Sequence, residues 1–388
     1  MKKIKLVSLL IVVSLMLTMF VGCGGGAASD GETIKIGVIA PLTGDVAVYG
    51  TAVKNGVELY FEELNAAGGI AGKQVELIVY DDQGDATEAI NSYNKLVTAD
   101  EVVAIVGAVT STPTIAVAEA SAADNMPTIT ASATHNDVTT YGNNMFRSCF
   151  LDAFQGETMA NFTANEIKAQ SAAIIYNSSD AYSTGLADAF EAKCTELGIK
   201  VVAKEAYAAT DVDYRAQLTN IATAKPEVLF MPDYYNNIYK VATQAKEVGI
   251  NAPMLSCDGA DGVLTIEGMD AANVEGLYFA NHYSTEDEAE IVQNFLTNFN
   301  AKIGEAPNAF AALAYDAGLI MTNAIEKAIE SGVEIGTPEF SQAVIDNLDA
   351  TDVTGVTGQI TYDENNNPQK TCAIIKVEAG EYKFQGQF

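Results

Sequence analysis

Short apolar runs alternate with amphipathic stretches along most of this chain. The first run, residues 33–41 (TIKIGVIAP), alternates and then becomes fully apolar, which is typical of a strand entering a covered sheet. An amphipathic stretch follows over about 50–67, and after a Gly-Gly turn comes a second apolar run at 74–82. This order of patterns predicts an α/β fold with parallel-rich sheets.

The alternation restarts near Asp152, as though a second sheet were being built. Further strands are predicted near 126–133, 171–177, 200–207, 227–235, 253–259 and 276–283. Helices are predicted near 85–98, 152–169, 181–197, 213–224, 237–248, 287–303, 308–331 and 338–348. The chain closes with a predicted hairpin that pairs 358–363 with 372–384 around a turn at 363–368.

The stretch from Val102 to Asp124 joins an apolar run to a hydroxyl-rich turn and then to a helix. Ser111 or Thr112 can act as the N-cap, with Pro113 at the first helical position. The free backbone N–H groups of such a terminus attract anions, and uncharged hydroxyls beside them favour a carboxylate over a polyphosphate. An ordinary strand-to-helix turn is the alternative interpretation.

Polar residues follow several of the other predicted strands. They occupy positions 132 and 134, 177–182, 233–235 and 257–258. Ligands of parallel α/β sheets gather at the carboxyl ends of the strands. Two sheets with such edges facing each other would form a cleft for a small ligand.

The N-terminus has the features of an export signal. Three lysines precede the apolar run Leu6–Val21, and Gly22-Cys23 follows. This arrangement resembles a bacterial lipoprotein signal, in which residues 1–23 direct export and Cys23 is lipidated, although Phe20 stands where leucine is usual. Residues 24–32 would form a flexible tether.

Composition narrows the class of function. The formal net charge of −30 excludes nucleic acid as a partner and a broadly basic membrane-binding surface. Cys149, Cys194, Cys257 and Cys372 have no metal-ligand spacing, and they can be free or paired. Because the chain has only two histidines, it has few side chains of the type most often used in general acid–base catalysis. A hydrolase with Ser111 as nucleophile would need a base that the sequence does not offer. We predict no enzyme activity, cofactor or metal.

Seven phrases carry a resemblance to a known family: IKIGVIAPLTGDVAVYG, LNAAGGIAGKQVELIVYDD, IVGAVTSTPTIA, TITASAT, FRSCFLDAFQG, DAYSTGLADAF and NAFAALAYDAG. Over about residues 34–363 the chain resembles the type I periplasmic binding proteins of ABC importers, in their leucine/isoleucine/valine-binding branch. The resemblance implies two Rossmann-like lobes joined by three crossings, near Leu151, Asn281 and Asp363. The N-terminal lobe would hold 33–151 and 282–362, and the C-terminal lobe 152–281 and 363–388.

The resemblance also implies a clamp for a zwitterion. Ser111, with the backbone N–H groups beside Thr112, matches the carboxylate site. Ser132 matches a position whose carbonyl accepts from the ammonium, and Thr134 one that bridges both ends of the ligand. Asp258 stands where the family often has an acid that pairs with the ammonium. That family acid is commonly Glu, so the shorter Asp258 implies a different or water-mediated contact.

Aromatic residues complete the implied pocket. Tyr182 and Tyr234 match positions of the C-terminal lobe that close over the ligand, and Tyr49 and Phe310 border the side-chain pocket. Tyr234 can equally be a packing residue. Asp233 can add a second negative charge that favours a more polar or cationic ligand, or it can be a solvated loop acid.

These observations predict a lipid-anchored extracytoplasmic protein that captures a small, branched-chain or other aliphatic amino acid. Its partners would be the permease and ATPase subunits of an ABC transporter, and the membrane through Cys23. Two alternatives stay open. The ligand can be another small carboxylate or amide, or the protein can be a ligand sensor that works with a separate membrane partner.

Overall fold

The computed structural model describes residues 33–388. Its strands are β1 (Ile34–Ala40), β2 (Val75–Asp81), β3 (Ala104–Val106), β4 (Thr128–Thr130), β5 (Met145–Arg147), β6 (Ser171–Asn177), β7 (Lys200–Tyr207), β8 (Val228–Phe230), β9 (Met254–Ser256), β10 (Tyr278–Asn281), β11 (Asp352–Gly355), β12 (Gly358–Thr361), β13 (Ala373–Glu378) and β14 (Glu381–Gln387). The predicted leader, tether and lipidation site at Cys23 lie outside the described residues.

The α-helices alternate with the strands. They are α1 (Ala47–Ala66), α2 (Ala86–Lys95), α3 (Ser111–Asp124), α4 (Asp152–Phe162), α5 (Ala181–Leu197), α6 (Arg215–Ala224), α7 (Tyr235–Glu247), α8 (Glu290–Ile303), α9 (Ala309–Glu330) and α10 (Pro338–Asp349). Wider π-helical turns at Leu96–Asp100 and Thr163–Ile167 extend α2 and α4. Within 33–388, no helix combines the length and the apolar character needed to span a bilayer.

Two large sheets organise the described chain. The first has the order β2-β1-β3-β4-β5, and all of its strands are parallel. The second has the order β14-β13-β10-β9-β8-β6-β7, parallel from β7 to β10 and antiparallel at β13 and β14. The predicted α/β class with parallel-rich sheets is therefore confirmed.

We call the five-stranded sheet with α1–α3 and α8–α10 the N-terminal lobe, and the seven-stranded sheet with α4–α7 the C-terminal lobe. Both faces of each sheet are covered. In β1, for example, Ile36 and Val38 pack on the side of α1 and α9, while Ile39 packs on the side of α2 and α3. Burial on both faces explains why the strands read as nearly continuous apolar runs.

The chain passes between the lobes three times, between Arg147 and Asp152, between Asn281 and Glu290, and between Thr361 and Ala373. These crossings contact each other. The Phe150 ring of the first crossing stacks on the His282 ring of the second, with centroids 3.7 Å apart. The three crossings therefore form one packed hinge.

A buried polar cluster connects the third crossing to the first. The Lys370 ammonium donates to the carbonyl of Ser148 at 2.7 Å and to the Thr357 hydroxyl. The Asp316 carboxylate of α9 accepts from the N–H groups of Val356 and Thr357 at 2.6 and 2.8 Å. Burial lowers the pKa of Lys370 to about 8, against the opposing effect of Asp316.

The predicted hairpin between 358–363 and 372–384 is wrong. Strand β12 pairs with β11, and β13 pairs with β14 and β10, so the two predicted arms belong to different sheets. Only an isolated bridge between Tyr362 and Pro368 spans the predicted turn. The physical reason is that the segment between the arms is an interlobe crossing, and the true β-turn lies at Ala379-Gly380, where both residues have positive φ.

Candidate functional site

The N-termini of α3 and α5 meet where the carboxyl ends of the two parallel sheets face each other. A narrow cavity lies there, in which about 210 Å³ is not filled by atoms, open solvent included. Residues from both lobes line it: Val109, Thr110, Ser111, Ser132, Tyr182, Tyr234, Asp258, Gly259 and Phe310. Six of them are among the residues that the sequence predicts for the site.

Ser111 is the first residue of α3, and its side chain is buried. Its hydroxyl oxygen accepts from the His135 N–H at 3.3 Å, which leaves the hydroxyl proton to donate into the cavity. The predicted N-cap is wrong: Thr110 occupies that position without a side-chain bond, and Pro113 is the third helical residue. Ser111 is not the cap because its backbone is already helical, so the capping position falls one residue earlier, at Thr110.

Asp258 faces this helix terminus from the C-terminal lobe. Its Oδ1 accepts from the Tyr182 hydroxyl at 2.7 Å, and its Oδ2 lies 3.0 Å from Nε2 of His282. Burial lowers the pKa of His282, against the opposing effect of Asp258, so the imidazole is neutral at pH 7. A neutral His282 that carries its proton on Nε2 donates it to Oδ2 of Asp258. The aspartate is thus held by two donors, which fixes its direction.

Aromatic rings form the remaining walls. Tyr182 stacks on Tyr234 with centroids 4.9 Å apart and an interplanar angle of 9°. Phe310 lines the cavity, and Tyr49 stacks behind it at 4.1 Å. The walls between the Ser111 and Asp258 ends are therefore apolar and rigid.

Tyr49 also joins the lobes. Its hydroxyl donates to the Gly259 carbonyl at 2.5 Å and accepts from the Tyr235 N–H at 3.0 Å. Burial raises the pKa of this hydroxyl well above its usual value, so it stays protonated and able to donate. Tyr49 therefore acts on the cavity from behind Phe310 and does not line it.

Thr112 does not line the cavity either. Its hydroxyl donates to Oδ2 of Asp180 at 3.1 Å and accepts from the Ala181 N–H at 3.3 Å. Asp180 is the N-cap of α5 and accepts from the Ser183 N–H. The Thr112 side chain is thus a bridge between the N-termini of α3 and α5, and it connects the two lobes.

Replacing Thr112 with valine is expected to weaken ligand binding about 10-fold. Valine keeps the shape but removes both interlobe hydrogen bonds, so the closed form is less stable and the ligand dissociates faster. Stopped-flow measurement of the dissociation rate checks this. Thr112→Ser is the matched control because it retains the hydroxyl, and equal dissociation rates for the valine variant and the wild type would refute the bridge.

Three other predicted positions are placed as follows. The Ser132 hydroxyl donates to the Val109 carbonyl at 2.9 Å. Thr134 is buried, and within 33–388 its hydroxyl has no hydrogen-bond partner. Asp233 is buried within the C-terminal lobe, where it accepts from the Tyr207 hydroxyl and from Asn237 at 3.2 Å. Burial raises its pKa to about 7. Asp233 is therefore neither a solvated loop acid nor a wall of the cavity.

The sequence did not point to several residues around the site. His282 orients Asp258, and the side-chain oxygen of Gln155 accepts from the Asp258 N–H at 3.0 Å. Asp152 lies in the same helix turn as Gln155 and is also buried. The only signal in the sequence was that Asp152 and Gln155 lie three residues apart, on one face of a predicted helix.

Among the described residues, no three His, Cys, Asp or Glu side chains are grouped so that they could hold a metal ion. The four cysteines that the structure describes are buried free thiols. The sequence left open whether these cysteines are free or paired, and the structure has them free.

Comparison with known proteins agrees with this architecture. A family model described as "Periplasmic binding protein" matches residues 33–381. The Leu/Ile/Val-binding protein BraC3 of Rhizobium johnstonii is 33% identical over 355 residues, which are 90% of this chain and 92% of that protein. The leucine-, isoleucine-, valine-, threonine- and alanine-binding protein of Pseudomonas aeruginosa is 29% identical over 338 residues, 87% of each chain.

Two solved structures have a similar fold and sequence. The branched-chain amino acid transporter substrate-binding protein LivJ of Streptococcus pneumoniae, in complex with isoleucine, has a TM-score of 0.84 and 33% identity. The leucine-binding protein LivK of Thermotoga maritima has a TM-score of 0.84 and 30% identity. Each comparison covers 92% of this chain and 99% of the other. These relatives are binding proteins and not enzymes.

Proposed function

This chain belongs to the periplasmic binding protein family, type I, in its branched-chain amino acid branch, and from that premise we propose that it binds a small aliphatic amino acid. One observation carries the proposal. The Ser111 hydroxyl, whose proton is available to donate, and the helix terminus beside it stand opposite the Asp258 side chain, across a small cavity lined from both lobes. Donors at one end and an acid at the other match an α-amino acid zwitterion.

The two ends of the ligand would be held differently. Its carboxylate would accept from the Ser111 hydroxyl and from N–H groups of the first turn of α3, including that of Thr112. Its ammonium would donate to Asp258, to the Ser132 carbonyl and to the Thr134 hydroxyl.

The ligand side chain would pack between the aromatic walls. Apolar surface faces the cavity from Phe310, Tyr234 and Val109. The Tyr49 ring stacks on the far side of Phe310 and holds it in place. Apolar walls favour an aliphatic side chain such as that of valine, leucine or isoleucine over a charged one. The names of the two relatives and the two solved structures support the same ligand class.

We place this activity outside the cytoplasm. The predicted signal over 1–23 and the predicted anchor at Cys23 would hold the protein at the membrane, where it would deliver its ligand to an ABC permease. We further propose that 33–151 with 282–362 and 152–281 with 363–388 form the two lobes, which, joined by three crossings, could open and close around a ligand.

The test is calorimetric titration of the purified protein with each of the twenty common amino acids and with small amides. We expect saturable binding for branched-chain amino acids and none for acidic or basic ones. The proposal fails if no amino acid binds with a dissociation constant below about 1 mM, which corresponds to roughly −4 kcal/mol.

Replacing Ser111 with alanine is expected to weaken amino-acid binding by about 1.5 to 3 kcal/mol, because a hydrogen bond to a charged group is lost. The melting temperature should change little, since the hydroxyl makes only one bond within the protein. Ser121→Ala removes another buried hydroxyl from α3, far from the cavity, and is the matched control. Wild-type affinity in the Ser111 variant would remove this residue from the site.

A further inference from the structure

Asp261 is a buried acid of the C-terminal lobe that bonds to a helix of the N-terminal lobe. Its Oδ2 accepts from the backbone N–H of Ala309 at 2.8 Å and from Nδ2 of Asn281 at 3.1 Å. Ala309 is the first residue of α9, so its N–H group has no acceptor within its own helix. The Asp261 carboxyl group therefore connects the two lobes beside the second crossing.

The start of α9 is a favourable place for an acid, because a helix N-terminus carries partial positive charge. Burial raises the pKa of Asp261, and so does the nearby Asp258, while the N–H groups of Ala309, Asn281 and Gly262 lower it. The groups that favour the charged form of Asp261 are thus N–H donors, and one of them belongs to the other lobe. Loss of that contact would leave a buried acid with one donor fewer.

Asp261 belongs to the same turn as the acid of the ligand site. We call residues 258–261 the acid turn. Within it, the Asp261 N–H donates to the Asp258 carbonyl at 2.9 Å. A Cβ added at Gly259 would lie 2.5 Å from the Asp233 carbonyl oxygen, so the acid turn packs closely against the loop before α7. Asp258 and Asp261 are therefore held at a fixed separation.

Two contacts from the acid turn converge on Phe310, the aromatic wall of the cavity. Phe310 follows Ala309 directly in α9, so the Asp261 bond holds the backbone beside it. The Tyr49 ring stacks on Phe310, and the Tyr49 hydroxyl donates to the Gly259 carbonyl. The acid that faces the ligand ammonium and the wall that faces the ligand side chain are therefore attached to one turn.

We propose that Asp261 is a positioning residue of the ligand site, which sets the distance between the Phe310 wall and Asp258 by bonding to the start of α9. Asp261 does not line the cavity, so it acts on the ligand through Phe310 and not by contact. A wall and an acid held at the right spacing cost the ligand less to bind, because the protein does not have to be ordered again on binding. This inference rests on the proposed amino-acid function and adds a residue of the lobe interface to it.

The experiment is calorimetric titration of the purified protein with L-leucine. Asp261→Ala is expected to weaken binding about 10-fold, because the first turn of α9 loses its acceptor in the other lobe. Asp270→Ala is the matched control. Asp270 is an exposed acid whose carboxylate also accepts a backbone N–H, that of Ala272, but within its own lobe. The control should bind L-leucine as the wild type does.

A double-mutant cycle tests whether Asp261 acts through Phe310. In a Phe310→Ala background the ring that Asp261 positions is absent, so adding Asp261→Ala should change the affinity for L-leucine by less than about twofold. A residue that supports the fold in general would cause the same loss in both backgrounds. Equal losses in the two backgrounds would therefore overturn the inference.

Ala309→Pro removes the same hydrogen bond from the side of its donor. Proline has no N–H and is favoured at the first position of a helix, and the extended backbone of Asn308 (φ −86°, ψ 177°) suits a residue before proline. If Asp261→Ala does not fold, Ala309→Pro must show the loss for L-leucine, and wild-type affinity in that variant would overturn the inference.

Failure of this inference can be told apart from failure of the proposed function. If Asp261→Ala binds L-leucine as the wild type does while Ser111→Ala is impaired, Asp261 has no role in positioning and only this inference fails. If the wild type binds no amino acid, the proposed function fails and this inference fails with it.

Discussion

Replacing Asp258 with alanine is expected to weaken amino-acid binding by about 2 to 5 kcal/mol, the range for a buried charged partner that is truncated. The loss has two sources. The ligand ammonium loses its oriented acid, and the Tyr182 hydroxyl and His282 Nε2 both lose the oxygen that they contact. Calorimetric titration with L-leucine measures the change in affinity.

Two variants separate these sources. Asp258→Asn keeps the shape and one oxygen, so it should bind more tightly than the alanine variant but less tightly than the wild type. Asp188→Ala removes an exposed acid from the same lobe and controls for the change in net charge. If the alanine variant bound L-leucine within twofold of the wild type, roughly 0.4 kcal/mol, Asp258 would have no role at the ammonium.

Replacing Asp316 with alanine is expected to lower the free energy of unfolding by about 3 to 5 kcal/mol. The carboxylate accepts from the N–H groups of Val356 and Thr357 and from the Thr357 hydroxyl at 2.5 Å. Alanine leaves those donors buried without an acceptor, and it removes the negative charge that offsets the buried ammonium of Lys370. Urea denaturation followed by circular dichroism measures the loss.

The Asp316 carboxylate packs tightly against the backbone of Gly355. A Cβ added at Gly355 would lie 2.3 Å from Oδ1 of Asp316, so the carboxylate fits against bare backbone. Asp349→Ala, which removes an exposed acid from the neighbouring helix α10, is the matched control. A urea midpoint equal to that of the wild type would show that Lys370 and Thr357 find other partners.

The helices and central strands were predictable because their patterns are local. Strand β6 and helix α5 have the predicted bounds. Their signals, apolar periodicity and the N-cap Asp180, lie within the segments themselves or directly beside them. Strand β8 is shorter than the predicted 227–235, because the chain leaves the sheet at Met231 to begin the loop before α7. Strands β5 and β11, three and four residues long, were not predicted.

Which strands pair with each other was less predictable from the sequence. The pairing of β12 with β11 and of β13 with β10 depends on which lobe each segment joins, and no local pattern states that. The same limit applies to the cavity. The carboxyl ends of the predicted strands were correctly brought together, yet the Thr112 side chain bridges the lobes and does not line the cavity, since its position depends on how the lobes meet.

The hydrogen bonds of Tyr49 to Gly259 and Tyr235, and of Thr112 to Asp180, contain no ligand atom. Each favours the closed arrangement by about 1 kcal/mol whether or not a solute is bound. The empty protein is therefore in equilibrium between an open and a closed arrangement, and these bonds shift that equilibrium toward the closed one. A ligand needs to supply only the remaining free-energy difference between the two arrangements. Under the proposed function, empty closed molecules would compete with loaded ones for the same membrane complex, so these side chains would set how strongly uptake depends on occupancy.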